Sequence, residues 1–208
     1  MNDRGQIIYI VDDDISVRRA LKVSLEQHGF RVEAFPCASE FLAFKHPKVA
    51  SCLILDIQLP DINGLALQEA MRDRQLIIPI VFVTGHGDIP MSVKAIQSGA
   101  VDFLPKPFTE ENLLNAIERA IVKNKFQNKE QSEITKIKGH LKRLSPRELE
   151  VFYFVSKGML SKQIASKLGT ALQTIKVHRS RVMQKLQAKT ITELIHFAQK
   201  AGFTSSSN

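Results

Sequence analysis

The sequence predicts an open α/β domain with a parallel sheet, followed by a smaller all-helical domain. Three observations point to this division. Apolar runs alternate with amphipathic helical patterns through residue 123, whereas only helical spacing is found from Ser145 onward. A polar stretch rich in Lys, Asn, Gln and Glu separates the two parts. Charge divides at the same place. Residues 1–123 carry 13 Lys+Arg against 16 Asp+Glu, a net of −3, while residues 124–208 carry 16 against 5, a net of +11. An acidic half joined to a basic half that meets a polyanion fits this asymmetry; a basic solvated surface fits it too.

The elements follow in order. Ile7-Ile8-Tyr9-Ile10-Val11 is a continuous apolar run, which reads as a strand buried on both faces, and it runs into Asp12-Asp13-Asp14. Val17, Leu21 and Leu25, with Ala20, Ser24 and His28, then fall at helical spacing, and Gly29 supplies a stop. Residues 31–35 read as a second strand and 39–44 as a short helix. The strand over 52–56 ends on Asp56, and the loop Pro60-Asp61-Ile62-Asn63-Gly64 leads to a helix carrying Leu65, Leu67, Ala70 and Met71. Ile80-Val81-Phe82-Val83 ends on Thr84; a helix with Met91, Val93, Ala95 and Ile96 follows, ended by Gly99. The run over 101–105 ends on Lys106, and a last helix from about Thr109 carries Leu113, Leu114, Ile117 and Ile121 on one face. Five such βα units suit a doubly wound, flavodoxin-like sheet.

At 208 residues there is room for one large domain or two small ones. Cys37 and Cys52 read as packed thiols of a reducing cytosol, and no spacing suggests zinc. No apolar stretch approaches ~18 residues and the N-terminus is polar, so no membrane span, no signal peptide and a cytoplasmic location are expected.

In a parallel sheet the chemistry collects outside the carboxyl ends of the strands. Asp12, Asp13, Asp56, Thr84 and Lys106 should therefore meet in one crevice. A carboxylate can be phosphorylated to an acyl phosphate. That transfer loads charge onto three equatorial oxygens and needs a cation and fixed donors around them. Mg2+ suits the task because it takes oxygen ligands, commonly one or two carboxylates plus waters and phosphate. Taken singly, each residue has a plainer reading: a strand-end acid as a cap, Thr84 as a loop hydroxyl, His86 as a polar loop filler, Asp14 and Asp61 as solvated or capping groups.

Together, Asp12-Asp13, Asp56 followed by Leu59-Pro60 and Gly64, Thr84-Gly85, and Lys106-Pro107 closely resemble the receiver domain of bacterial two-component response regulators. The resemblance implies that a sensor histidine kinase phosphorylates Asp56. It implies Mg2+ held by Asp13, Asp56 and the main-chain carbonyl of Gln58, with Asp12 acting mainly through the metal's waters. It also implies that Lys106 pairs with the phosphoryl group, that Thr84 moves toward it, and that the rotamer of Phe103 reports activation. Lys106-Pro107 would be cis, which X-Pro bonds tolerate cheaply. Haloacid-dehalogenase-like phosphatases also place an Asp nucleophile at a strand end, but they need a second acid two residues on, and that position is Gln58. No turnover of a separate substrate is expected.

In the basic half, Ser145-Pro146-Arg147-Glu148 reads as a capping box with Pro at the first helical position. Leu149, Val151, Phe152 and Val155 follow, with a stop near Gly158; Ser161 then caps a short helix ended at Gly169. A third helix covers about 172–186. Lys176, Val177, Ser180, Arg181 and Gln184 share one of its faces, and Ile175, Val182, Met183 and Leu186 lie toward the other. That is what a major-groove recognition helix requires, and in isolation a solvated helix face would look the same. The local motifs Pro146-Arg147-Glu148, Lys162-Gln163-Ile164-Ala165, Thr174-Ile175-Lys176-Val177-His178 and Val182-Met183-Gln184-Lys185-Leu186 resemble the LuxR/NarL-type helix-turn-helix. The resemblance implies that Lys176, Val177 and Ser180 face base edges, and that Thr174, Arg179, Arg181 and Lys185 contact phosphate or sugar. His178 is expected to pack at the helix edge, and the last helix, about 192–201, to dimerise on DNA. One departure stands out: the usual Ser or Thr cap of the recognition helix is Ala171 here, so either Thr170 takes over or the start of the helix is less fixed.

Three segments result: a receiver over 1–123, a polar linker over 124–142 and a helix-turn-helix domain over 143–208. Ile134, Ile137, Leu141 and Leu144 sit at 3-4-3 spacing, so part of the linker is either helical and packed or a solvated connector. The whole resembles a NarL/FixJ-type response regulator; 84–91 and 105–108 look most like the FixJ branch, which implies homodimerisation through 89–123. The partners so implied are a sensor histidine kinase, double-stranded promoter DNA and RNA polymerase. An RNA-binding antiterminator shares the receiver but would need a different helical output domain.

Overall fold

The computed structural model describes residues 5–85 and 89–203; His86 lies outside the described residues. They form two compact units, divided between Lys129 and Glu130. In the first, strands β1 (Ile7–Val11), β2 (Arg31–Phe35), β3 (Ser51–Asp56), β4 (Ile80–Thr84) and β5 (Asp102–Pro105) pair in the order β2-β1-β3-β4-β5, every pair parallel. Helices α1 (Ile15–Gln27), α2 (Ala38–Ala43), α3 (Gly64–Asp73) and α4 (Ile89–Gln97) connect them, and α5 (Glu110–Leu141) follows β5.

Strand alternation builds a core on each side of the sheet. Ile7, Tyr9 and Val11, with Leu53, Leu55 and Phe82, pack with Phe41 of α2, Leu67 and Met71 of α3 and Ala95 of α4. Ile8 and Ile10, with Ile54, Val81 and Val83, pack with Leu21 and Leu25 of α1 and Leu113, Ala116 and Ile117 of α5. Burial on both faces is why β1, β3 and β4 are apolar without interruption. Register then decides what meets at the strand ends. Val11 pairs with Leu55, so Asp12 and Asp56 emerge side by side. Asp56 pairs with Val83 and Thr84 with Pro105, which brings Thr84 and Lys106 to the same end.

α5 is longer than its apolar face alone indicates, with 32 residues. Its residues 110–129 belong to the first unit and 130–141 to the second. Asn124 is buried; its Oδ1 accepts from the Ser51 N–H at 3.0 Å and its Nδ2 donates to the Ile77 carbonyl at 2.8 Å. Further along, Ile137 and Leu141 are buried in the core of the second unit, with Leu144 packed against it.

That core also takes Val151, Phe152 and Val155 from α6 (Pro146–Ser156), Ile164 and Ala165 from α7 (Ser161–Lys167), Ile175, Val182 and Leu186 from α8 (Leu172–Leu186), and Leu194 and Ala198 from α9 (Ile191–Lys200). The Ser145 capping box is complete: Ser145 Oγ accepts from the Glu148 N–H at 3.3 Å, and the Glu148 carboxylate accepts from the Ser145 N–H at 2.8 Å. Ser161 is not the cap of α7 but its first residue. The cap is Leu160, which has no side-chain acceptor; Gln163 Oε1 reaches back to its N–H at 2.8 Å instead. No helix among the described residues is long and apolar enough to cross a membrane.

Candidate functional site

The acidic crevice lies where β1 and β3 end, at the point where the strand order reverses around β1. Crossovers leave in opposite directions there, which opens a cleft between neighbouring strand ends. Carboxylate oxygens of Asp12, Asp13 and Asp56 lie within 4.8 Å of one another. Asp12 is fully buried and Asp56 nearly so, while Asp13 is exposed. Lys106 Nζ donates to Asp12 Oδ2 and to Asp56 Oδ2, both at 2.8 Å. Burial pushes the Asp12 carboxyl above the ordinary carboxylate range, opposed by the Lys106 hydrogen bond. Burial also works against the Lys106 ammonium, but the two carboxylates outweigh it and raise its pKa, so the cation persists.

Thr84 is buried, and its carbonyl accepts from the Lys106 N–H at 2.7 Å, which anchors the β5 end that carries the lysine. The Lys106–Pro107 peptide is cis. Phe103, half-buried on β5, packs tilted against Phe82 with ring centroids 6.5 Å apart. Gln58 follows β3, and its N–H donates to Asp56 Oδ1 at 3.1 Å. Gly64 starts α3 directly against this strand end: a Cβ there would lie 2.5 Å from the Asp56 carbonyl oxygen, so only glycine fits. Asp14 caps α1 by accepting from the Ser16 and Val17 N–H groups, and Asp61 accepts from the Ala38 and Ser39 N–H groups at the start of α2. Sequence reasoning missed Arg18, whose Nη1 donates to the Asp12 carbonyl at 2.7 Å. Nothing in the Arg18-Arg19 pair one turn into a helix signals that contact.

Among the described residues the cluster consists of three carboxylates, an all-oxygen donor set that suits a hard divalent cation. The crevice can hold such an ion beside the Asp12 and Asp56 carboxylates that Lys106 already reaches.

The second region is the outer face of α8. Thr174, Lys176, Val177, Ser180, Arg181 and Gln184 are all exposed, while Ile175, Val182 and Leu186 are buried behind them. Ala171 is the N-cap and makes no side-chain cap bond, so Thr170 does not take over. Two of the expected phosphate contacts are engaged elsewhere. Arg179 Nη1 donates to Ser161 Oγ at 3.1 Å, and Lys185 Nζ donates to the Glu148 carboxylate at 2.6 Å. The Glu148 partner was invisible in sequence because 37 positions separate the two residues.

Comparison with known proteins agrees with both regions. The model of the response regulator receiver domain matches residues 8–118, and that of the luxR family of bacterial regulatory proteins matches residues 142–198. Nodulation protein W of Bradyrhizobium diazoefficiens is 41% identical over 198 residues, 95% of this chain and 87% of that protein. The transcriptional regulatory protein FixJ of Rhizobium meliloti is 37% identical over 196 residues, 94% of this chain and 96% of that protein. The solved structure of the response regulator StyR is similar at a TM-score of 0.79 and 42% identity, covering 94% of this chain and 98% of that one. With its receiver crevice and its basic helix-turn-helix on one chain, the protein belongs to the NarL/FixJ family of DNA-binding two-component response regulators, in the FixJ-like branch.

Proposed function

We propose that Asp56 is the phospho-acceptor of this regulator and that its phosphorylation controls promoter binding by the face of α8. The observation that carries this reading is the convergence at one strand end of Asp12, Asp56 and Lys106, with Lys106 Nζ 2.8 Å from both carboxylates. A sensor histidine kinase supplies the phosphoryl group. Asp12, Asp13 and Asp56, with the main-chain carbonyl of Gln58, would hold Mg2+, which neutralises charge on the phosphoryl oxygens when bound. Asp56 attacks phosphorus through a carboxylate oxygen, and the leaving group departs in line.

Lys106 then exchanges its bond to the Asp56 carboxylate for one to the phosphoryl oxygens, a charge-assisted bond made at little reorganisation cost. Thr84 turns its hydroxyl toward the same group. Thr84 and Lys106 are joined through the main chain, so this movement reaches β5 and lets the half-buried Phe103 bury further. The face formed by 89–123 changes with it and pairs with a second copy. Ile89, Val93 and Ile96 of α4 are exposed apolar side chains on that face, which favours such pairing. To move from 1:99 to 99:1, phosphorylation must favour the active state by about 5.5 kcal/mol.

Two recognition helices then enter half-sites about one DNA turn apart. Lys176, Val177 and Ser180 read base edges, and Thr174 and Arg181 hold the backbone. RNA polymerase is the expected downstream partner. Incubation with acetyl phosphate and Mg2+ should add one phosphate to the intact protein and none to Asp56→Asn. Labelling of that variant at the wild-type level would overturn the assignment. Steady turnover of a phosphomonoester would revive the phosphatase alternative.

A further inference from the structure

Lys185 was expected to contact DNA phosphate, yet its ammonium is held inside the helical unit. Nζ donates to Glu148 Oε2 at 2.6 Å and to the Arg143 carbonyl at 3.2 Å. The same Glu148 oxygen accepts from the Ser145 N–H at 2.8 Å. The Glu148 side chain is 4% exposed and that of Lys185 38%. A carboxylate this buried is stable only while its partners stay in place, so it fixes their positions. The pair joins three parts of the unit: Glu148 Oε2 takes the Ser145 N–H at the start of α6 and Lys185 Nζ from the last turn of α8, and Lys185 Nζ also reaches the Arg143 carbonyl in the turn before α6.

The other end of α8 lacks a corresponding lock. Its N-cap is Ala171, which offers no side-chain acceptor. The N-terminal end carries Thr174, Lys176 and Val177, the first residues a recognition helix presents to base edges. With a free cap at that end, the angle of α8 must be set by what holds its body and its far end. Ile175, Val182 and Leu186 supply a non-directional apolar contact, and Arg179 reaches Ser161 Oγ. Both polar contacts are directional, and in the Glu148–Lys185 pair donor and acceptor are both charged, which makes it the stronger.

We infer that Glu148 and Lys185 form a latch that sets the register of the recognition helix, and that Lys185 is a positioning residue rather than a DNA contact. This rests on the reading that α8 binds DNA. A phosphate-contacting lysine and a positioning lysine differ in two measurable ways. Neutralising a phosphate contact lowers the slope of log affinity against log salt by about 0.9 and weakens all duplexes alike. Loosening a register leaves the slope intact and weakens the specific site selectively.

The test uses the full chain and two duplexes: a genomic fragment retained by the wild-type protein and a random sequence of equal length. Binding is measured at several salt concentrations, with the active fraction set by stoichiometric titration, so that loss of folded protein alone does not alter the affinity ratio. Glu148→Gln and Lys185→Met should each weaken the specific complex by about tenfold, the scale of one misplaced base contact, and the random complex far less. The salt slope should be unchanged, and the double variant should be no worse than either single one, as for two halves of one contact. A fall in slope of about 0.9 for Lys185→Met, with Glu148→Gln neutral, would make Lys185 a phosphate contact and overturn the latch. An unchanged specificity ratio in both variants would overturn it as well. Lys176→Ala and Arg181→Ala, run in parallel, separate the two levels of the argument. If neither alters DNA binding, α8 is not the recognition helix and the latch falls with it; if both do and the latch variants do not, the latch alone fails.

Discussion

The receiver crevice and the face of α8 both gather charge, but they handle it in opposite ways. In the crevice, Asp12 and Asp56 are buried and already neutralised in part by Lys106. On α8, Lys176 and Arg181 are exposed, and no ion pair among the described residues involves either. A crevice that takes up a phosphoryl dianion, the role proposed for this one, gains from donors fixed before the charge arrives. The helix face meets a long polyanion in water, where free cations gain by releasing counterions and need no cradle. A protein that couples the two stores its switch where charges are held and its affinity where they are free.

The comparison can be broken first at the crevice, where the largest effect is expected. Lys106→Ala leaves two carboxylates with low exposure and no cation between them, which should cost about 3 kcal/mol of stability. Urea unfolding would measure this, and millimolar Mg2+ should return part of the loss. A wild-type midpoint without Mg2+ would mean the crevice is solvated rather than preorganised. Next in size is Gly64→Ala. Its Cβ would meet the Asp56 carbonyl at 2.5 Å, so a loss of about 2 kcal/mol is expected in thermal unfolding, together with slower phosphorylation.

On the helix face the effects are smaller and fall on binding rather than stability. Lys176→Ala should weaken specific DNA by about 1.5 kcal/mol and random DNA less, with an unchanged melting temperature. Equal losses on both duplexes would make Lys176 a phosphate contact. A separate effect, on the stability of the helical unit, concerns pH. The Lys185 hydrogen bond, with that from the Ser145 N–H, pulls the Glu148 carboxyl down to about 2. Its folded pKa thus lies below its unfolded one, so its contribution is complete above about pH 4.5 and is lost as pH falls toward 2. The helical unit of Glu148→Gln should therefore unfold with a shallower pH dependence over that window than the wild type. Parallel acid titrations by circular dichroism would check it.

How much was legible in the sequence follows from the same contrast. The crevice could be located because strand ends in a parallel sheet are fixed by apolar runs, and four of the five runs here stop at an acidic, hydroxyl or lysine residue. Register then did the rest: Val11 opposite Leu55 places Asp12 beside Asp56. The exposed residues of α8 could be located because helical periodicity separates Lys176, Val177, Ser180 and Arg181 from Ile175, Val182 and Leu186. What periodicity cannot give is the destination of a long, flexible cation. Lys185 and Arg179 lie beside that face, yet both bend back to partners in the fold, 37 and 18 positions away in the chain. Asn124 and Asn128 look like polar linker in the sequence for the same reason. Their amides find the buried start of β3 and the Val49 carbonyl, partners that no local pattern announces.

The central claim is that phosphorylation of Asp56 in the buried crevice governs the exposed face of α8. The most direct measurement treats the full chain and Asp56→Asn with acetyl phosphate and Mg2+, then records phosphate uptake by intact mass and retained genomic fragments by sequencing. The wild type should gain one phosphate and enrich a discrete set of fragments, and the variant should gain neither. Equal enrichment of the same fragments by Asp56→Asn, or by the untreated wild type, would contradict the account.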